Sequence, residues 1–226
     1  NNAISSDAVT ALRAKLNYDY TSVVKALLVD CPYDMYWCDK TTYSSNPGGN
    51  ISAKWENGEY VLYLTSCPKI IFYAAVDYSA TGAEKTTTVS TDKITTVNTA
   101  IANAQQIVEN NSDKSGKALL AAYRDAICGL TTYDYDAVTD DVPYGDPWQL
   151  ISVFDGNSAT NVVCEGYAKA FKYLCDLSQD EDGACITVTG TMYGGTGAGP
   201  HMWNIVTMDA SRNYLVDVTN CDTGSI

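Results

Sequence analysis

The chain has 226 residues, a formal net charge of −13 and three arginines, Arg13, Arg124 and Arg212. An acidic chain without a basic cluster excludes a phosphate-gripping surface, so no nucleic acid is expected as a partner and anionic membrane surfaces offer no attraction. No apolar run reaches the roughly 18 residues of a membrane span, so no membrane insertion is expected.

The length allows one or two domains with a buried core. The polar opening Asn1-Asn2-Ala3 shows no leader. With seventeen tyrosines and low charge, the composition fits an extracellular or cell-surface protein whose leader has been removed.

Ser5-Ser6-Asp7 predicts the cap of a short helix with Val9, Leu12 and Leu16 on one stripe. A second helix is expected over about 21–28, with Val24 and Leu27 or Leu28 inward, stopped by Cys31-Pro32-Tyr33-Asp34. The aromatic run Tyr33 to Trp37 then enters an extended segment and is expected to bury against a sheet rather than face sugar or peptide. Strands are predicted over 59–64 and 69–76, with Asn57-Gly58 turning a hairpin back to 51–55. Together these make a small antiparallel sheet.

Ser90 or Thr91 should cap a longer helix with Ile94, Val97, Ile101 and Ile107 or Val108 inward, ending near Asn110-Asn111. The polar, turn-prone stretch 111–116 is the expected boundary between an N-terminal α+β region, 1–112, and a core, 113–226. The core begins with a helix striped by Leu119, Tyr123, Ile127 and Leu130, then Tyr133-Asp134-Tyr135-Asp136. A short helix follows from Pro147 to about Phe154.

Val162-Val163-Cys164-Glu165-Gly166-Tyr167-Ala168-Lys169-Ala170-Phe171 reads as a loop turning into a helix with a thiol in its first turn. Ala168, Phe171 and Cys175 follow at helical spacing and point to the core, Cys175 as a small buried apolar residue, whereas Glu165 is expected exposed or against the loop. Unpaired N–H groups and the helix dipole at that turn favour a thiolate nucleophile.

The acidic run 179–183 reads as a solvated turn and 185–190 as a strand. The glycine-rich stretch 193–200 lacks the strand-then-helix setting of a phosphate loop; it is either a hairpin loop or a mobile flap. Strands 202–207 and 213–218 should pair. Placing Trp203 opposite Asp217 puts Thr207 opposite Asn213 and makes His201 and Asp217 diagonal neighbours on one face. His201 is the only histidine. Asp209 and Asp222 are the alternatives to Asp217 as its carboxylate. If Cys164 stays free, at most three disulfides can form among the other cysteines, of which Cys31 and Cys38 are nearest in sequence. One histidine and no C-x-x-C make a structural zinc unexpected; no metal or cofactor is implied.

Three runs, Val163 to Phe171, His201 to Val206 and Asp217 to Thr219, resemble the V-C-x-G-Y-A-x-x-F, H-x-W-N-x-V and D-x-T motifs of the transglutaminase-like superfamily of papain-like cysteine enzymes. The resemblance covers about 113–222, and the Tyr133–Tyr135 run matches the end of a helix in many bacterial members. It implies an α+β fold whose core packs a catalytic helix on an antiparallel sheet, with Cys164, His201 and Asp217 as nucleophile, proton shuttle and orienter. It also implies acyl chemistry on a peptide or protein amide: hydrolysis, deamidation or transfer. Cys164 would give one oxyanion donor through its backbone N–H, with Tyr135 or Tyr133 the candidate second donor, and Trp203 would pack beneath the imidazole. Members usually continue past the aspartate with a Trp and further strands, where this chain has Asn220-Cys221-Asp222, so the core is expected to be truncated. The alternative is a non-catalytic cell-surface module that keeps the fold to bind peptide or glycan.

Overall fold

The computed structural model describes residues 4–16, 18–46, 48–139, 142–178, 184–193, 198–209 and 212–223. The fold is α+β, with small antiparallel sheets. Helix α1 (Ser6–Lys15) starts at Ser5, whose hydroxyl accepts from the Ala8 N–H. Its stripe is only half-buried; no residue of the helix reaches the core. Helix α2 (Tyr20–Asp30) is capped by Asp19 and buries Val24 and Leu28.

Strands β1 (Cys38–Asn46), β2 (Ile51–Glu56), β3 (Glu59–Leu64) and β4 (Lys69–Ala74) form two separate two-stranded sheets, β1 with β4 and β2 with β3, rather than one. The β2–β3 turn has both central residues at positive φ, Asn57 at 49° and Gly58 at 88°, the geometry that matches strand twist in a two-residue hairpin. Strand β4 stops at Ala74; Val76, expected in the strand, lies in a 3-10 turn. The β1–β4 ladder slips between Cys38↔Ala74 and Tyr43↔Phe72, so the segment from 39 to 42 bulges out of register. Tyr33 stacks on Tyr173, ring centroids 5.0 Å apart, so this end of the aromatic run is half-buried against a helix rather than against the expected sheet.

Helices α3 (Ile94–Glu109), α4 (Gly116–Cys128), α5 (Asp136–Thr139), α6 (Leu150–Phe154) and α7 (Cys164–Ser178) follow. The cap expected at Ser90 or Thr91 does not form: α3 begins after Lys93 without a side-chain cap, Ser90 instead accepts from Asp92, and Ile94 is exposed. Its inward face is Val97, Ala100 and Ala104, which lie in one core cluster with Leu119, Tyr123 and Ile127 of α4 and with α6 and α7. The small alanines let α3 approach closely.

Strands β5 (Cys185–Met192), β6 (Gly199–Asp209) and β7 (Arg212–Val216) make a three-stranded antiparallel sheet in the order β5-β6-β7, and the six-residue helix α8 (Val218–Thr223) ends the described chain. Thr207 pairs with Asn213 and Asn204 with Val216, the register expected from the sequence, but β7 stops at Val216, so the expected Trp203–Asp217 pair lies beyond the ladder and Val218 opens a helix instead. The acidic run 179–183 and residues 194–197 of the glycine-rich stretch lie outside the described residues.

Helix α7 is the centre of the molecule. Ala168, Phe171 and Cys175 are buried as their spacing predicts, but so is every residue from Glu165 to Cys175. Helices α3, α4, α6 and α8 surround it together with β5 and β6. All eight cysteines are free thiols, Cys31 and Cys38 included. Among the described residues no helix is long and apolar enough to cross a membrane.

Candidate active site

Cys164 opens α7 at one wall of a cleft of about 630 Å³. The chain reaches it through a tight crossing. Val162 bonds through its N–H to Thr132 and through its carbonyl to Asp134, and its side chain presses on the first helical turn. A Cβ on Gly166 would come within 2.7 Å of the Val162 Cβ, so glycine is required for this approach. The crossing also lays Tyr133 beside Cys164.

Sheet register supplies the opposite wall. His201 pairs with Gly190 and sits on β6. Its Nε2 lies 2.8 Å from Asp217 Oδ2, and the Cys164 thiol is the ring's other polar neighbour. The Asp217 bond, then the Cys164 contact, raise the imidazole from its ordinary 6.5 to about 9 against the opposing effect of burial. The ring is therefore an imidazolium at neutral pH. Trp203 lies nearly parallel to it, centroids 5.9 Å apart. Room for that indole comes from Gly190, where a Cβ would meet it at 2.5 Å.

Asp217 is the residue before α8, and it caps that helix. Its Oδ1 accepts from the Asn220 N–H at 3.2 Å, while the Asn220 side-chain amide donates to Oδ2 at 2.6 Å. One carboxylate thus serves both the helix and the imidazole. Of the two alternatives, Asp222 is taken by the Tyr167 hydroxyl; the side chain of Asp209 lies outside the described residues. Buried Asn204 fastens β6 to α7 by donating to the Ala168 carbonyl at 3.0 Å.

Tyr133 and Tyr135 divide. The Tyr133 phenol lies against the Cys164 backbone N–H and is pushed up to about 12, by burial first and then by the neighbouring Cys164. It stays protonated, and so a donor, at neutral pH. Tyr135 is 59% exposed, its ring 4.9 Å from that of Tyr133, on the outer rim.

No protein-family model matches this chain, and no curated protein matches it.

One cluster at the site is absent from the sequence reading. Glu165, expected exposed or against the loop, is 5% exposed. Its Oε1 accepts from the Tyr144 hydroxyl at 2.7 Å and pairs with Lys169 Nζ at 2.9 Å, while Oε2 takes the Lys40 ammonium from the bulge of β1. Burial pushes the Glu165 carboxyl up, but Lys169 and Lys40 outweigh it and hold the group at about 2. Burial pushes Lys169 down, and Glu165 opposes this. The hydrogen bonds decide its state: Lys169 Nζ meets three acceptors, Glu165 Oε1, the Tyr144 oxygen at 3.0 Å and Gln149 Oε1 at 3.0 Å. The Tyr144 proton is already given to Glu165, so all three contacts need a proton from nitrogen, and only an ammonium has three.

Asn220 was legible as the third residue of a helix capped by Asp217. Lys40 had no local signal, because its partner lies 125 residues away.

Proposed function

We propose that Cys164, His201 and Asp217 carry out thiol acyl chemistry on a peptide or protein amide, in a core of the transglutaminase-like kind. The observation that carries the reading is the imidazole of His201 held between the Asp217 carboxylate and the Cys164 thiol. This is the nucleophile–base–orienter order that acyl transfer needs.

In this reading the Cys164 thiol has passed its proton to His201, and the thiolate of that ion pair attacks the carbonyl carbon. The tetrahedral oxyanion accepts from the Cys164 backbone N–H and the Tyr133 hydroxyl, which makes Tyr133 rather than Tyr135 the second donor. His201 gives its proton to the departing amine as the C–N bond breaks and leaves a thioester. Water, or a second amine, then attacks the thioester while His201 takes its proton, and the Cys164 thiolate is released. Asp217 fixes the ring tautomer and stabilises the imidazolium without itself being protonated.

The test is mass spectrometry of a glutamine-containing peptide pool incubated with and without a primary amine, using Cys164→Ala as the blank. Backbone cuts identify hydrolysis, a gain of about one dalton identifies deamidation, and an amine adduct identifies transfer. A pool unchanged against the blank overturns the catalytic reading in favour of a peptide- or glycan-binding module.

A further inference from the structure

The acyl-transfer reading leaves one charge in the cleft without a task. Glu165 balances one of the two lysines that hold it, so the Lys40–Glu165–Lys169 cluster has a net charge of +1. Lys169 is sealed in, its side chain 1% exposed, whereas the Lys40 side chain is 36% exposed. The surplus positive charge therefore faces the cleft. Lys40 lines it, and among the described residues no other lysine and no arginine does.

Its placement is specific. The register slip of β1 carries Lys40 out of the ladder, and a bulge of this kind re-aims a side chain. The ammonium also lies 4.7 Å from the centre of the Tyr144 ring. One N–H goes to Glu165 and the ring takes a face of the charge, leaving an N–H free for a ligand. For a protein of net charge −13 this is a local inversion of sign at the mouth of the nucleophile.

We propose that Lys40 reads the substrate, and that this site takes amides bearing a carboxylate close to the reacting bond, as in an acidic peptide. The proposal rests on the acyl-transfer reading of the same site. Lys40 binds the carboxylate as a charged hydrogen-bond donor and takes no part in bond making, so its contribution falls on KM more than on kcat.

The experiment resynthesises the fastest-reacting peptides of the pool as twins, with each Glu or Asp replaced by Gln or Asn. In the wild type the acidic twin should exceed its amide twin at least about tenfold in kcat/KM, the scale of one hydrogen bond to a charged group. Lys40→Met should erase that ratio, and Lys40→Arg should keep most of it. Twins that react equally in the wild type, or a ratio that survives Lys40→Met, overturn the proposal while the catalytic reading stands. Equal loss of kcat on both twins in Lys40→Met, with the ratio intact, does the same and makes Lys40 a positioning residue for α7. A pool that does not react at all removes the catalytic reading and this proposal with it.

Discussion

Strands from opposite ends of the chain each bring one cation to Cys164, and they do so differently. On β6, His201 belongs to a regular ladder with β5: its carboxylate partner stands one residue past the end of β7, and its stacking partner Trp203 is two residues along. On β1, Lys40 leaves the ladder and, itself partly exposed, meets a buried carboxylate 125 residues away in the first turn of α7. The first pair is local to the end of β7 and the helix cap that follows it. The second is a clasp between the two ends of the fold. A paired charge is built either way, but the histidine is buried beside the thiol, whereas the lysine stays partly open to the cleft.

The comparison is sharpest if each side fails in its own way. His201→Ala removes the proton shuttle, so turnover should fall by roughly 10⁴-fold or more, with Asp217→Asn not far behind; both should fold. Turnover within about tenfold of wild type in either variant would take that residue out of the mechanism. Glu165→Ala should instead act on stability, because it leaves Lys169 buried without a counter-charge. A loss of about 3–5 kcal/mol in urea unfolding is expected, and a loss no larger than that of His201→Ala would dissolve the distinction.

Acid and alkali should separate the two sides as well. Glu165 is depressed in the folded state, so its stabilisation is present above its ordinary 4.5 and is lost as the pH falls toward about 2. His201 is raised, so its stabilisation is full below 6.5 and is lost as the pH rises through about 9. Denaturation midpoints should therefore peak between these limits; Glu165→Gln should flatten the acid limb and His201→Ala the alkaline one. The smallest effect belongs to the β2–β3 hairpin. Trp55 and Tyr60 touch only at its exposed end, so Trp55→Ala should cost less than about 1 kcal/mol in the same titration.

What the sequence made legible follows the same division. The β2–β3 hairpin, the start of α7 and the β6–β7 register were readable because Asn57-Gly58, the Cys164 turn and the alternation around Trp203 are local signals. The separation of β1–β4 from β2–β3 was not, since β4 lacks any mark of which strand it pairs with. The α3 cap was misplaced because Ser90 had a nearer use in its own turn, accepting from Asp92. Glu165 was expected exposed or against the loop; with Lys169 four residues on, the pair reads the same whether it meets water or each other. Their burial depends on Lys40, Tyr144 and Gln149 converging from elsewhere, and no window of sequence holds that information.

The stacking of Trp203 on His201 also has an optical consequence. An imidazolium quenches a neighbouring indole more strongly than a neutral imidazole does, and these rings are stacked nearly parallel, inclined by 22°. Tryptophan emission should therefore brighten as the pH passes about 9, where the ring loses its proton. The step should vanish in Trp203→Phe and in His201→Ala. The protein thus carries its own fluorescent indicator of the charge on its single histidine, readable without substrate, label or turnover.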